Sequence, residues 1–554
     1  MRIPISITLL IAMTGCSESG YSMKASYDEA AYGDTGYYSP QSAGDYDDGY
    51  GSEAEEPSDA NYDDGYGSEA EGDFLSLRPA TTNTYVFVAN PDRNTVTRIS
   101  VPSLEVMTVE VGVEPSLVET SSDYTRAVTF NKGSNDISII DAETLDVTEV
   151  TIRDNLNQMR MSPDGNWVIC YHDVGADGGG SINGGAVTFN AISIINLQTQ
   201  EHFEAIVGSY PHDVQFTEDS SLAVVISDDY MASIDLTTES ISPKRIAIAN
   251  DLINPPRAEE VLLDPNGKYA LVRQYAVSDL VLVDLEATEN QVSSVPCGDN
   301  PTDMDVSEDG SQVYVVARGA SPADDCGEVL EEDPTACDQQ GELWTYDVSD
   351  IEDIITDSIS FPTGEIFGQL QLSPDDESGL FYSTQSGQSR MGVWDRSSDE
   401  IVVKGLVKPV SKIGLSPTGE TTVVFHSKDN GDTPSTSQFY GSHALSLIDM
   451  NDLFSTAYKL VAEPTSFTST PDGDIGFFIM EGQPYLEMLN YRTLVPSEVR
   501  LPSVPVHLGS LPDTNIAFVS QEHNLGRISF FDTDEGDLQT ITGFELNSAI
   551  DHAE

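Results

Sequence analysis

Residues 162–165 read Ser162-Pro163-Asp164-Gly165 and stand between "NQMRM" (157–161) and "NWVICYHD" (166–173). Proline presets φ and glycine accepts positive φ, so the tetrapeptide suits a tight turn, while its Asp could also open a cation-binding loop. Recurrence decides between these readings. Counterparts are RPAT at 78, SSDY at 121, TEDS at 217, DPNG at 264, SEDG at 307, SPDD at 373, SPTG at 416, TPDG at 470 and LPDT at 511. Several of them lose the carboxylate pattern of a cation loop and keep turn residues, so the slot is a turn.

A second marker keeps pace with the first. Short apolar runs end in Asp or Asn followed by a turn, at Asp141, Asn196, Asp235, Asp284, Asp347, Asp395, Asp449, Asn490 and Asp532, with Ser100 filling the first slot. The runs between the markers are rich in Val, Ile and Tyr and show no sustained helical period, which predicts an all-β fold. Two markers sharing one long period imply about ten four-stranded sheets, and such units bury their faces only by stacking radially. The expected architecture is a β-propeller over 74–554. A single ring of eight to ten blades is favoured over two rings, because no Pro/Gly/Ser linker interrupts the repeat.

The 554-residue chain carries 25 Lys+Arg against 93 Asp+Glu, a formal net charge of -68. That charge repels phosphate backbones and excludes nucleic acid as a partner class. Residues 1–15 read as an export signal: Arg2, then an apolar stretch too short to span a bilayer. Met13-Thr14-Gly15-Cys16 resembles the bacterial lipobox, which implies lipidation of Cys16 and attachment to the cell envelope. Ser17, rather than Asp, after that cysteine favours the outer membrane or cell surface. Residues 16–73 contain "YDDGYGSEAE" twice and are too polar to bury a core, so they are expected to form a disordered acidic spacer.

"YVFVANPDRNTVTRIS" at 85–100, with looser echoes in "KGSNDISIIDAETLDV" at 132–147 and "VYVVARG" at 313–319, resembles the YVTN-type surface and extracellular β-propellers. The resemblance implies an exported propeller and says little about activity. WD-repeat proteins are a more distant likeness, since Trp394-Asp395 is the one Trp-Asp pair and no Gly-His partner recurs.

Labelling the strands of a blade a to d from the axis outward, the a–b and c–d turns share one face and the b–c and d–a loops share the other. The long insertions, 173–190, 319–341 and 426–443, all fall in b–c loops. Variable loops on a rigid scaffold are where binding resides, which nominates that face and its residues His172, Arg318, His426 and His443. Along strand a, polar residues alternate with apolar ones and are expected to ring the axial channel. Asp213, Glu260 and Asp303 fall in consecutive blades, with Asp305 two residues deeper, a set that could hold Ca²⁺ through oxygen ligands. A solvated polar channel mouth is the plainer reading.

Cys326 and Cys337 bracket a polar insertion and are expected to form a disulfide in an oxidising exterior. Enzyme signatures are missing: no Cys-x-x-Cys-His, His-Glu-x-x-His, Gly-x-Ser-x-Gly or phosphate loop, and too few Trp for quinone-type docking motifs. The sequence therefore points to an envelope-attached, non-enzymatic propeller that binds a protein or glycan. The alternative is an exported lactonase-like hydrolase or oxidoreductase working at the channel mouth.

Overall fold

The SPDG slot is a hydrogen-bonded corner. In the computed structural model the Ser162 hydroxyl donates to Asp164 Oδ1 (2.6 Å) and accepts from the Trp167 N–H (3.0 Å), while Gly165 takes φ +66°. Ser121, Thr217, Ser307, Ser373, Ser416 and Thr470 repeat the hydroxyl contact in their own blades, each accepting the N–H five residues on. The second marker is equally local. Asp141, Asn196, Asp284, Asp395 and Asp532 each accept backbone N–H groups two and three residues downstream, the Asx geometry that turns strand c into strand d. In the first blade the corner begins at Thr82, four residues after the RPAT expected there, because strand a is only Ala80–Thr81.

The structure describes residues 79–544 apart from 175–188, 276, 288–290, 320–340, 352 and 524. Cys16, the expected spacer, and Cys326 with Cys337 lie outside the described residues. Ten antiparallel sheets follow one another, each of four consecutive strands in the order a–b–c–d. Blades 1 to 10 span 80–110, 115–151, 158–206, 213–247, 258–296, 301–360, 369–405, 412–459, 464–500 and 505–542.

Alternation along strands b and c points apolar side chains to both faces of every sheet, so each face must be covered by a neighbour. Ten apolar clusters do this, one at each blade junction. Val128, Phe130, Met159 and Cys170, for instance, join blades 2 and 3. Val86 and Ile99 of blade 1 meet Phe518, Ile528 and Phe530 of blade 10 and close the circle. The result is one ring of ten blades. Among the described residues no sheet mixes strands from the two chain ends, and there closure rests on side-chain packing rather than on a shared blade. The free thiols Cys170 and Cys297 are buried, and desolvation raises both.

Candidate functional site

Strand a is an edge strand, and its inward N–H and C=O groups need partners. The polar residues singled out along it supply them. Asp303 Oδ2 in blade 6 accepts the Leu370 N–H of blade 7 (2.7 Å), and Asp305 Oδ2 accepts the Leu372 N–H (3.3 Å). Glu260 Oε1 accepts the Met304 N–H of the next blade (3.3 Å). Asp213 accepts from its neighbour Val214 N–H and from Gln215 Nε2, whose amide also reaches the Val261 carbonyl of blade 5.

Asp213 and Asp303 are buried between blades, at 6% and 2% exposure, while Glu260 and Asp305 are half-buried and bonded across the same junctions. The reason is geometric: in a radial sheet the side chains of strand a face the adjacent blades, and its backbone edge faces the axis. Glu119 does the same work for the Met161 N–H (2.8 Å), and burial pushes its carboxyl above the usual range, as it does that of Asp213.

Positive charge near Glu260 comes from within the chain. Arg273, on strand b of blade 5 (Tyr269–Gln274) and 5% exposed, bonds Glu260 through Nε (3.0 Å) and Glu259 through Nη1 (2.6 Å). Its Nη1 also reaches the Pro301 carbonyl (3.4 Å). Among the described residues no group of three or more His, Cys, Asp or Glu side chains is placed to hold one metal ion. Asp213 is not gathered with Glu260, Asp303 and Asp305 into such a group.

The loop face is built differently. The blade 8 insertion, 427–443, is pinned at both ends by Lys408, which is fully buried and donates from Nζ to the carbonyls of Lys428 (3.2 Å) and Ser442 (2.8 Å). Desolvation pushes this ammonium below its ordinary value. The insertion is also tied sideways to blade 7: Asp432 accepts the Ser389 N–H (2.9 Å), and the Asp432 N–H donates to the Gly387 carbonyl (2.9 Å). Blade 7 in turn meets blade 6, where Arg318 Nη1 approaches Gln385 Oε1 at 3.5 Å. The described loop residues of blades 7 and 8 are thus cross-linked, with Arg318 of blade 6 beside them.

The histidines expected on this face are braces within it. His426 is buried between the Pro409 carbonyl at Nδ1 (2.8 Å) and the Ser446 hydroxyl at Nε2 (2.9 Å). Nδ1 must donate to the carbonyl, so Nε2 accepts, and desolvation lowers this ring to about 4. His443 is buried and lowered by the same cause. His172 stacks on Phe189 with ring centroids 4.2 Å apart, and Phe189 leads on to Tyr210 at 6.0 Å.

Among its exposed charged and polar residues, the face also offers apolar side chains to solvent. Val113, Tyr210, Leu252, Ile253, Tyr275, Tyr440 and Val461 are large exposed apolar side chains in b–c or d–a loops. On the turn face, Phe454 is the one loop residue of that kind among the described residues. Sequence reasoning missed Lys408, Glu119 and this apolar set. Leu252-Ile253 ahead of Asn254-Pro255-Pro256 was the available signal, since a large aliphatic pair inside a proline-stiffened turn has no core to enter.

No family model matches the chain, and no curated protein matches it. Solved structures similar to it include the dihydro-heme d1 dehydrogenase NirN in complex with DHE, at 12% identity over 77% of each chain and TM-score 0.43. A eukaryotic initiation factor aligns at 11% identity over 76% of this chain and 96% of that one, with TM-score 0.45. Kuenenia stuttgartiensis hydrazine synthase aligns at 16% identity over 59% of this chain and 95% of that one, with TM-score 0.29. Nothing about ligand or chemistry is carried over from likenesses this distant.

Proposed function

We propose that this chain is a non-enzymatic binding module of a bacterial cell envelope, exported by residues 1–15 and held by lipid on Cys16. Its ring presents a protein- or glycan-binding platform formed by the loops of blades 6, 7 and 8. The observation that carries this reading is the bracing of the 427–443 insertion by Lys408 and Asp432. An 17-residue insertion that were merely tolerated would have no need of a buried ammonium at its base and a tie to the adjacent blade. Preorganisation of this kind lowers the ordering cost of binding.

The test compares the intact chain with one in which 320–340 and 429–441 are replaced by short Gly-Ser links. Both are screened on a glycan array and by crosslinking in intact cells of the source organism. Ligand capture that disappears with the loops, at unchanged melting temperature, supports the reading. Capture that survives their removal overturns it.

A further inference from the structure

The d–a loop between blades 4 and 5, residues 248–257, presents two aliphatic side chains to water in a fixed conformation. Asp251 Oδ1 accepts the N–H groups of Ile253 (2.9 Å) and Asn254 (3.2 Å), and Pro255-Pro256 stiffen the exit. Ile253 is 87% exposed and Leu252 is 43% exposed. An ordered isoleucine held out this far gives up hydrophobic stabilisation that any buried position would supply.

This knuckle is part of a continuous sector. The Ser209 N–H donates to Asp229, the Ala258 N–H donates to Asp228, and the Tyr275 N–H donates to the Arg257 carbonyl. Those bonds tie together the loops carrying Tyr210, Leu252, Ile253 and Tyr275. The sector therefore has an aliphatic tip flanked by two exposed tyrosines, whose amphipathic rings suit the boundary between hydrocarbon and water. Its carboxylates Asp228, Asp229 and Asp251 are each engaged by backbone N–H groups.

The distribution of charge selects the occupant. The dense carboxylates, Asp141, Asp235, Asp309, Asp395, Asp472 and Asp532 among them, sit at the turns of the opposite face. Strands of five or six residues put roughly 17–20 Å between the faces, about twice the ~8 Å screening length at physiological salt. Charge on the turn face is therefore screened from whatever meets the knuckle.

We infer that the blade 3–5 sector of the loop face seats on a lipid surface of low charge, with Leu252 and Ile253 entering the acyl boundary and Tyr210 and Tyr275 at headgroup level. The inference rests on the proposed envelope location for its setting. The turn face then points outward, and the blade 6–8 platform lies along the same surface, within reach of partners carried by that membrane.

The test uses residues 17–554, so that neither export signal nor acyl chain contributes; all ten blade junctions lie within the described residues, so the ring keeps every one of them. Co-sedimentation with phosphatidylcholine vesicles is compared between this chain, the Leu252→Ser/Ile253→Ser double variant and Phe454→Ser on the turn face. Partition onto the vesicles should fall at least tenfold in the double variant, stay unchanged in Phe454→Ser, and weaken as phosphatidylglycerol is added. Both changes are at exposed positions, and equal melting temperatures confirm the fold. Absence of partition by the parent chain, equal partition by the double variant, or stronger partition onto anionic vesicles overturns the inference. None of these outcomes alters the loop-replacement test of the blade 6–8 platform.

Discussion

Replacing Glu487 by Gln should stabilise the ring at neutral pH. Glu487 is the third residue of strand c in blade 9 (Tyr485–Asn490), directly opposite Glu498 on strand d. The corresponding residues in blades 1, 2, 8 and 10 are Thr97, Ser138, Ser446 and Ser529, each hydrogen-bonded to the last polar residue of strand b. Blade 9 ends that strand in Met480, and two like charges face each other across the c–d pair.

Burial, followed by the Glu498 carboxylate, raises Glu487 from 4.5 to about 7. At ~1.36 kcal/mol per tenfold, a fully buried group with that displacement would cost about 3 kcal/mol when ionised. Glu487 is only half-buried, so solvent screening leaves about 1–2 kcal/mol. The sign follows from the raised value: below 4.5 both states are protonated and nothing is lost. Between 4.5 and about 7 the unfolded chain releases a proton that the folded chain retains, and stability declines. Above that window the penalty is constant.

Thermal melts at pH 4.5 and pH 8 read this out. The Glu487→Gln variant should match the parent at pH 4.5 and exceed it at pH 8 by roughly 1–3 °C, given the small response of large proteins to each kcal/mol. A variant that gains as much at pH 4.5 as at pH 8, or gains nothing at either, would show that cross-strand repulsion is not the cause.

Other expectations are as direct. His426 should remain neutral to about pH 4 by imidazole NMR; because its folded value is depressed, stability should fall as pH drops from 6.5 towards 4, by up to about 3 kcal/mol, a slope absent in His426→Asn. Arg273→Met should strand the buried Glu259 and Glu260 and cost about 3–5 kcal/mol, with recovery when both glutamates become Gln in the same chain, as measured by denaturant unfolding. Phe518→Ala removes a ring from the cluster joining blade 10 to blade 1 and should cost about 3–5 kcal/mol, with proteolysis beginning in the terminal blades.

Fold was legible because it is written locally. A Ser or Thr that bonds a backbone N–H five residues on, and an Asp that caps its own turn, act within a few residues, so their spacing survives in the sequence as a ruler. Blade number, strand order and the placement of insertions follow from that ruler. The site was less legible because its contacts cross blades. The alternation of polar residues along strand a was visible, yet whether Asp303 faces water or the Leu370 N–H depends on how two sheets meet. Arg273 stands 13 residues after Glu260, and no local pattern pairs them. Lys408 lies 20 residues before the carbonyl it holds, and in sequence it is an ordinary loop lysine. Ile253 was the exception, a side chain whose exposure could have been inferred from its neighbours Asp251 and Pro255.

Closure of the ring by side-chain packing among the described residues has a consequence for how such a chain can vary. Each blade is a self-contained length of polypeptide, and the first and last meet as ordinary neighbours across the cluster of Val86, Ile99, Phe518 and Phe530. The point at which the polypeptide begins is therefore arbitrary with respect to the circle. Joining residue 544 to residue 79 through a flexible linker and cutting instead at the loop between blades 9 and 10 should give a circular permutant with the same ten junctions. By the same logic whole blades can be duplicated or lost in a lineage without unpicking a strand, so that ring size is open to change in steps of one repeat.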